Sequence, residues 1–276
     1  MITPLLLSGL VAVAAAQATN TSSQACVSGN AVHLIVARAS LEPPGFGVLA
    51  NISTRVIEQL PGSNAEAVVY PATLDMYPTS EGQGVTAMTQ LVNSYAQACP
   101  SSKMVLMGYS QGAQVTADTV CGSTVSGFAK TQAISTSVLD KVSAIMLMGD
   151  PTHAINQPYD EGTSTKNGVF PRNDSSGCAP VANKMVSFCN SGDTFCDSGQ
   201  NLTVHLSYVQ DNGTSAVNFI TQKVKGGSGS SNSSSSSGSS GSGSGSGTVT
   251  TNAAARGVAV PAGFALLAEA ARMLAV

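Results

Sequence analysis

Histidine, charge and paired cysteines are all scarce in this chain, and each scarcity removes a class of function. Only three histidines occur among 276 residues, and none of the six cysteines forms a C-x-x-C pair. A structural zinc site therefore has no ligand set from which to be built, and no metal or other cofactor is expected. Charged residues make up 10% of the chain, with a net charge of −3. Lys and Arg are too few to neutralise a run of phosphates, which excludes nucleic acid as a partner. No Lys or Arg precedes the apolar stretch Met1 to Ala16 either, so the amino terminus alone supplies the positive charge of a secretory signal. That stretch is too short to span a bilayer, and Ala14-Ala15-Ala16 or Ala16-Gln17-Ala18 offers a small-x-small cleavage site. Residues 1–18 read as a signal peptide.

The cysteines that are present, Cys26, Cys99, Cys121, Cys178, Cys189 and Cys196, are even in number, as suits an oxidising compartment. Six N-x-[ST] sequons, at Asn20, Asn51, Asn173, Asn201, Asn212 and Asn232, fit the same secreted setting. Residues 26–225 are compositionally even and long enough for one domain with a full core. Residues 226–247 are almost pure Gly and Ser, which cannot bury enough apolar area to order themselves and read as a linker or stalk. Residues 248–276 join small residues at Asn252-Ala253-Ala254 to an apolar tail, the form of a GPI-attachment signal. Glu269 and Arg272 interrupt that tail, so a plain disordered extension stays open as the alternative. Attachment to a membrane is expected through such an anchor only, and the domain is expected to be a monomer.

Within the domain, strand-like and helix-like segments alternate. Apolar runs predict strands at Val32–Ala37, Glu66–Tyr70, Met104–Met107, Ser143–Met148 and Met185–Phe188. Helical spacing covers Phe46–Leu60, Gly82–Ala98, Gln111–Cys121, Thr136–Val142 and Ser215–Val224. Continuous apolar strands, each followed by a helix, imply an α/β fold in three layers, with a mainly parallel sheet of about five strands covered on both faces. The first strand and the Met104–Met107 strand are expected at its centre.

The segment Gly108-Tyr109-Ser110-Gln111-Gly112 follows the third strand and fits G-x-S-x-G. In a strand-to-helix corner of that pattern the serine hydroxyl stands clear of the sheet, and flanking glycines keep a Cβ from striking the neighbouring chain. A serine needs a histidine to take its proton, and the histidine needs a carboxylate to fix its tautomer. His33 lies inside the first strand and reads as a core residue. His153 follows Asp150 too closely for separate acid and base loops. His205, just before the final helix, is the candidate base. Asp193 lies between Cys189 and Cys196 and is the candidate acid, with Asp197 as a rival. If those two cysteines pair, the short closed loop holds Asp193 rigidly, and its reduction is expected to abolish activity before the domain unfolds. The oxyanion donors would be the backbone N–H of Gln111 and the N–H and hydroxyl of Ser40.

These residues together resemble the cutinase and acetylxylan esterase family of small secreted serine esterases, over Cys26 to about Val224. The resemblance rests on Ala37-Arg38-x-Ser40-x-Glu42, the Cys-Pro before the Gly108–Gly112 elbow, Gly149-Asp150-Pro151, and C-x-x-x-D-x-x-C followed by His205. It implies an α/β-hydrolase-like fold, Ser110, Asp193 and His205 as a triad, and Ser40 and Gln111 as oxyanion donors. It implies the bridges Cys26–Cys99 and Cys189–Cys196, which leaves Cys121 with Cys178. Gly62-Ser63-x-Ala65-Glu66, Tyr70-Pro71-Ala72 and the Asp193-to-His205 spacing look more like the acetylxylan esterase branch. The expected substrate is therefore an acetyl or short-chain ester on plant polysaccharide, with aliphatic cutin esters as the alternative and a catalytically silent wall-binding protein after that.

Overall fold

The computed structural model describes residues 25–226. The signal peptide, most of the Gly/Ser linker, the C-terminal tail and the sequons at Asn20 and Asn232 lie outside the described residues. Among the described residues, six strands form one sheet in the order β2-β1-β3-β4-β6-β5. They are β1 (Val32–Ala37), β2 (Asn64–Ala67), β3 (Lys103–Tyr109), β4 (Val142–Met148), β5 (Asp160–Gly162) and β6 (Met185–Cys189). Every pairing is parallel.

Parallel strands need both faces covered, and the side chains of β1 show how this is done. Val32, Leu34 and Val36 enter one core, while Ile35 and Ala37 enter the other. The first core is closed by α1 (Ala50–Gln59) and α7 (Gly213–Gly226), through Ile52, Val56, Val217 and Ile220. The second is closed by α2 (Tyr77–Ala98) and α3 (Gln111–Cys121), through Val85, Met88, Val92, Val115 and Val120. Short helices α4 (Thr136–Leu139), α5 (Leu202–Leu206) and α6 (Tyr208–Asp211) complete the set.

Three expectations need correction. The sheet has six strands, because β5 is a three-residue edge strand whose sequence, Asp-Glu-Gly, carries no apolar run. β3 and β4 are central, while β1 lies one strand in from the edge. The second strand begins at Asn64 and ends at Ala67, because register with β1 pairs Asn64 with His33 and Ala67 with Val36. Of the apolar Val68–Tyr70 that advertised it, Val68 still bonds the Val36 carbonyl and is buried, Tyr70 serves the loop after β1, and Val69 is exposed. His33 is a core residue as expected, stacked on Tyr95 and bonded to Asn64.

The strand order positions the site. After β1 the chain leaves toward α1 on one face, and after β3 it leaves toward α3 on the other, so a crevice opens where the two loops part. Ala37, the last residue of β1, and Gly108, the last but one of β3, are register partners.

Candidate active site

At that crevice β3 runs into α3 through Ser110, whose φ of 54° and ψ of −120° place a non-glycine residue where few side chains can sit. The corner is tight enough to dictate its neighbours. A Cβ on Gly108 would lie 2.1 Å from the Gly112 carbonyl, and one on Gly112 would lie 2.1 Å from the Ala37 carbonyl. Both obstacles are backbone, so neither can move aside.

The structure brings Ser110, His205 and Asp193 together. His205 Nε2 lies 2.9 Å from Ser110 Oγ, and His205 Nδ1 lies 2.8 Å from Asp193 Oδ2. Asp193 is fully buried; its Oδ1 accepts the N–H groups of Phe195 at 2.6 Å and Cys196 at 3.0 Å. Burial alone would push this carboxyl up, but the adjacent imidazole and the two N–H donors outweigh it and hold the group below the usual carboxylate range. His205 sits in the short helix α5. Phe195 packs edge-on against its ring at 4.6 Å, Tyr109 stacks at 5.3 Å, and Tyr109 Oη donates to its carbonyl at 2.5 Å. Gly149 is part of the same cage: a Cβ there would lie 2.8 Å from His205 Cε1. In the sequence Gly149 and Tyr109 stand out only as motif positions and Phe195 not at all, because packing against the imidazole leaves no mark on spacing.

The rivals are placed elsewhere. His153 faces Asp160 at 3.7 Å. Asp197 anchors the acid loop, accepting from Gly192 N–H at 2.8 Å and from the Ser164 hydroxyl at 2.5 Å. All three bridges, Cys26–Cys99, Cys121–Cys178 and Cys189–Cys196, are formed. Cys189 and Cys196 are buried, whereas Cys26 is exposed, so a soluble reductant meets the Cys26–Cys99 bridge first. Reduction therefore acts on more than one bridge, and substitution is the cleaner way to open the acid loop. A Cys189→Ala/Cys196→Ala double variant is expected to lose about tenfold or more in kcat while still folding. Loop-closure entropy puts its cost at about 2.5 kcal/mol, roughly 5–10 °C in Tm. Paired kcat and Tm measurements check both.

Opposite His205, the loop after β1 is tied down by its own motif. Arg38 donates through Nη2 to the Tyr70 and Pro71 carbonyls and through Nε to the Glu42 carbonyl, and Tyr70 Oη donates back to Arg38 O. The Glu42 carboxylate accepts from Ala39 N–H at 2.6 Å and Val48 N–H at 2.7 Å. Ser40, held between them, is buried with a hydroxyl that has no protein partner. Gln111 opens α3, where the first N–H groups have no intrahelical acceptor. Among the described residues no cluster of His, Cys, Asp and Glu could hold a metal ion.

The model of the Cutinase family matches residues 28–224. "Cutinase 11" of Verticillium dahliae is 34% identical over 214 residues, 74% of this chain and 71% of that protein. "Acetylxylan esterase 2" of Talaromyces purpureogenus is 34% identical over 204 residues, 70% of this chain and 87% of that protein. A solved acetylxylan esterase structure superposes with a TM-score of 0.68 at 33% identity, covering 72% of this chain and all of that one. The chain belongs to the cutinase family and is a carboxylic-ester hydrolase.

Proposed function

We propose that this protein hydrolyses esters of plant cell-wall polymers through an acyl-enzyme formed on Ser110. The observation that carries the reading is the unbroken hydrogen-bonded chain from Ser110 Oγ through His205 to buried Asp193. Ser110 Oγ attacks the ester carbonyl carbon as His205 Nε2 takes its proton, and Asp193 steadies the imidazolium through Nδ1. The carbonyl oxygen, now anionic, is met by Gln111 N–H and by Ser40. Collapse returns the proton from His205 to the departing alcohol, and water releases the acid by the same steps in reverse order.

The substrate we favour is an acetyl ester of xylan. Its support is the match of a solved acetylxylan esterase over its entire length at 33% identity. One observation favours aliphatic cutin esters as a second reading: Leu41, 44% exposed, and Met76, 74% exposed, stand on the two loops that flank the site. A p-nitrophenyl ester series run beside acetylated xylan and cutin separates the two. The acetyl reading expects kcat/KM to fall about tenfold or more from acetate to octanoate. A rise along the series, with cutin degraded and xylan left acetylated, would establish the cutin reading in its place.

The protein is proposed to act as a secreted monomer. The three bridges suit an oxidising compartment, and the sequon residues Asn51, Asn173 and Asn201 are exposed whereas Asn212 is half-buried. Attachment at the cell surface through residues 248–276 would hold the catalytic domain on its Gly/Ser stalk.

A further inference from the structure

Behind the crevice, α2 and α3 meet along a buried polar seam. Tyr77, Ser80 and Glu81 come from α2, and Gln111, Gln114 and Asp118 come from α3. Ser80 is tied directly to the candidate oxyanion donor. Its hydroxyl accepts Thr73 N–H at 3.0 Å and donates to Gln111 Oε1 at 3.0 Å, while Gln111 Nε2 donates to Thr73 O at 3.0 Å. One residue further along α2, this order breaks down. Glu81 Oε1, Asp118 Oδ2 and Gln114 Nε2 are all buried without a hydrogen-bond partner. The second Asp118 oxygen is paired with Arg172, which also donates to the Gly122 carbonyl.

Two neighbouring buried carboxyls that each leave an oxygen unpartnered satisfy one another when a single proton lies between them. The charges around them agree. Glu81 faces Asp118 of α3, Asp150 at the end of β4 and the guanidinium of Arg172, with the phenols of Tyr70 and Tyr77 alongside. Three acids thus surround one fixed cation. We propose that Glu81 is a positioning residue for the oxyanion donor: sharing one proton with Asp118, it keeps the first turn of α2 against α3 and holds the Ser80–Gln111 clamp in place. The inference rests on the serine-esterase reading above.

Burial, then the charge of Asp118, lifts the Glu81 carboxyl from its ordinary value to about 9. Because the folded protein prefers the neutral form, the contribution is complete below the ordinary carboxyl value near 4.5 and is lost as pH rises toward about 9. Ionisation there would set like charges against each other across the seam and part Ser80 from Gln111. A neutral imidazole is the form that accepts the serine proton, so loss of turnover on the alkaline side has to come from another group.

The test is the pH profile of kcat and KM for p-nitrophenyl acetate, with background hydrolysis subtracted. The unmodified enzyme should lose about fivefold or more in kcat between about pH 8 and about pH 10, with KM within about twofold. Glu81→Gln, which stays neutral and can still donate to Asp118, should keep the neutral-pH kcat within about twofold and lose most of that alkaline fall. Ser80→Ala cuts the link without touching the carboxyl pair. It should lower kcat about tenfold below about pH 8, leave KM within about twofold and show no alkaline fall, so that by about pH 10 it comes within about twofold of the unmodified enzyme. An alkaline fall unchanged in Glu81→Gln, or absent from the unmodified enzyme, overturns the proposal, as does a Ser80→Ala profile like that of the unmodified enzyme. Ser110→Ala run in parallel distinguishes the two failures: if it stays active, the esterase reading itself falls, and if it is inactive while Glu81→Gln behaves as the unmodified enzyme, only the role of Glu81 falls.

Discussion

Ser110→Ala is expected to lower kcat/KM for p-nitrophenyl acetate by about four orders of magnitude or more, with the fold intact. The hydroxyl accounts for one hydrogen bond to His205, and what holds the corner is the backbone, whose Ser110 N–H reaches the Met148 carbonyl at 2.9 Å. Alanine keeps those backbone bonds, so the near-UV CD and Tm should change little. The residual rate should be that of a crevice with its oxyanion donors and no nucleophile. A fluorophosphonate probe should label the unmodified enzyme and not this variant. Labelling absent from both, with no ester turned over, is what a silent wall-binding protein would give; substantial activity in the variant would remove Ser110 from the mechanism.

The second large effect separates two aspartates that the sequence left as rivals. Asp193→Asn should cost about 10⁴-fold in kcat, the order seen when a triad carboxylate becomes an amide elsewhere. The reason can be traced in the hydrogen bonds. Asp193 Oδ1 accepts from Phe195 and Cys196 N–H groups, so an asparagine there must direct its oxygen to them and its amide nitrogen at His205 Nδ1. The imidazole would then accept at Nδ1 and carry its proton on Nε2, facing a serine whose proton it can no longer take. Asp197→Asn should cost about tenfold or less, since only one of two anchoring bonds, to Gly192 N–H and the Ser164 hydroxyl, is lost. A larger loss in Asp197→Asn than in Asp193→Asn would reverse the assignment.

Much of the architecture was legible because it rests on short-range rules. β1 is found over Val32–Ala37 and α3 over Gln111–Cys121, both as predicted, since a strand buried on both faces is an apolar run and a helix after a glycine-bounded corner has little freedom in where to start. The edge of the sheet was hidden for the converse reason. β2 and β5 are drawn from Asn-Ala-Glu-Ala and Asp-Glu-Gly, and they are strands only because β1 and β6 offer them a ladder. Helix α5 likewise escaped notice: five residues cannot hold a helix alone, and this one is capped by Asn201 and set beside the acid loop through the Asn201 and Gly192 backbones.

The bond attacked follows from local sequence: a glycine-flanked serine, a lone late histidine and an aspartate between two cysteines leave few other partners for one another. Which aspartate meets that histidine depended on side chains many residues apart finding one another in space. So did Gly149 clearing room for the imidazole, Glu42 fixing the loop of Ser40, and Glu81 meeting Asp118 across two helices. Those contacts carry no period and no spacing, because each is set by where the strands and helices come to rest, and only the packed sheet brings them together.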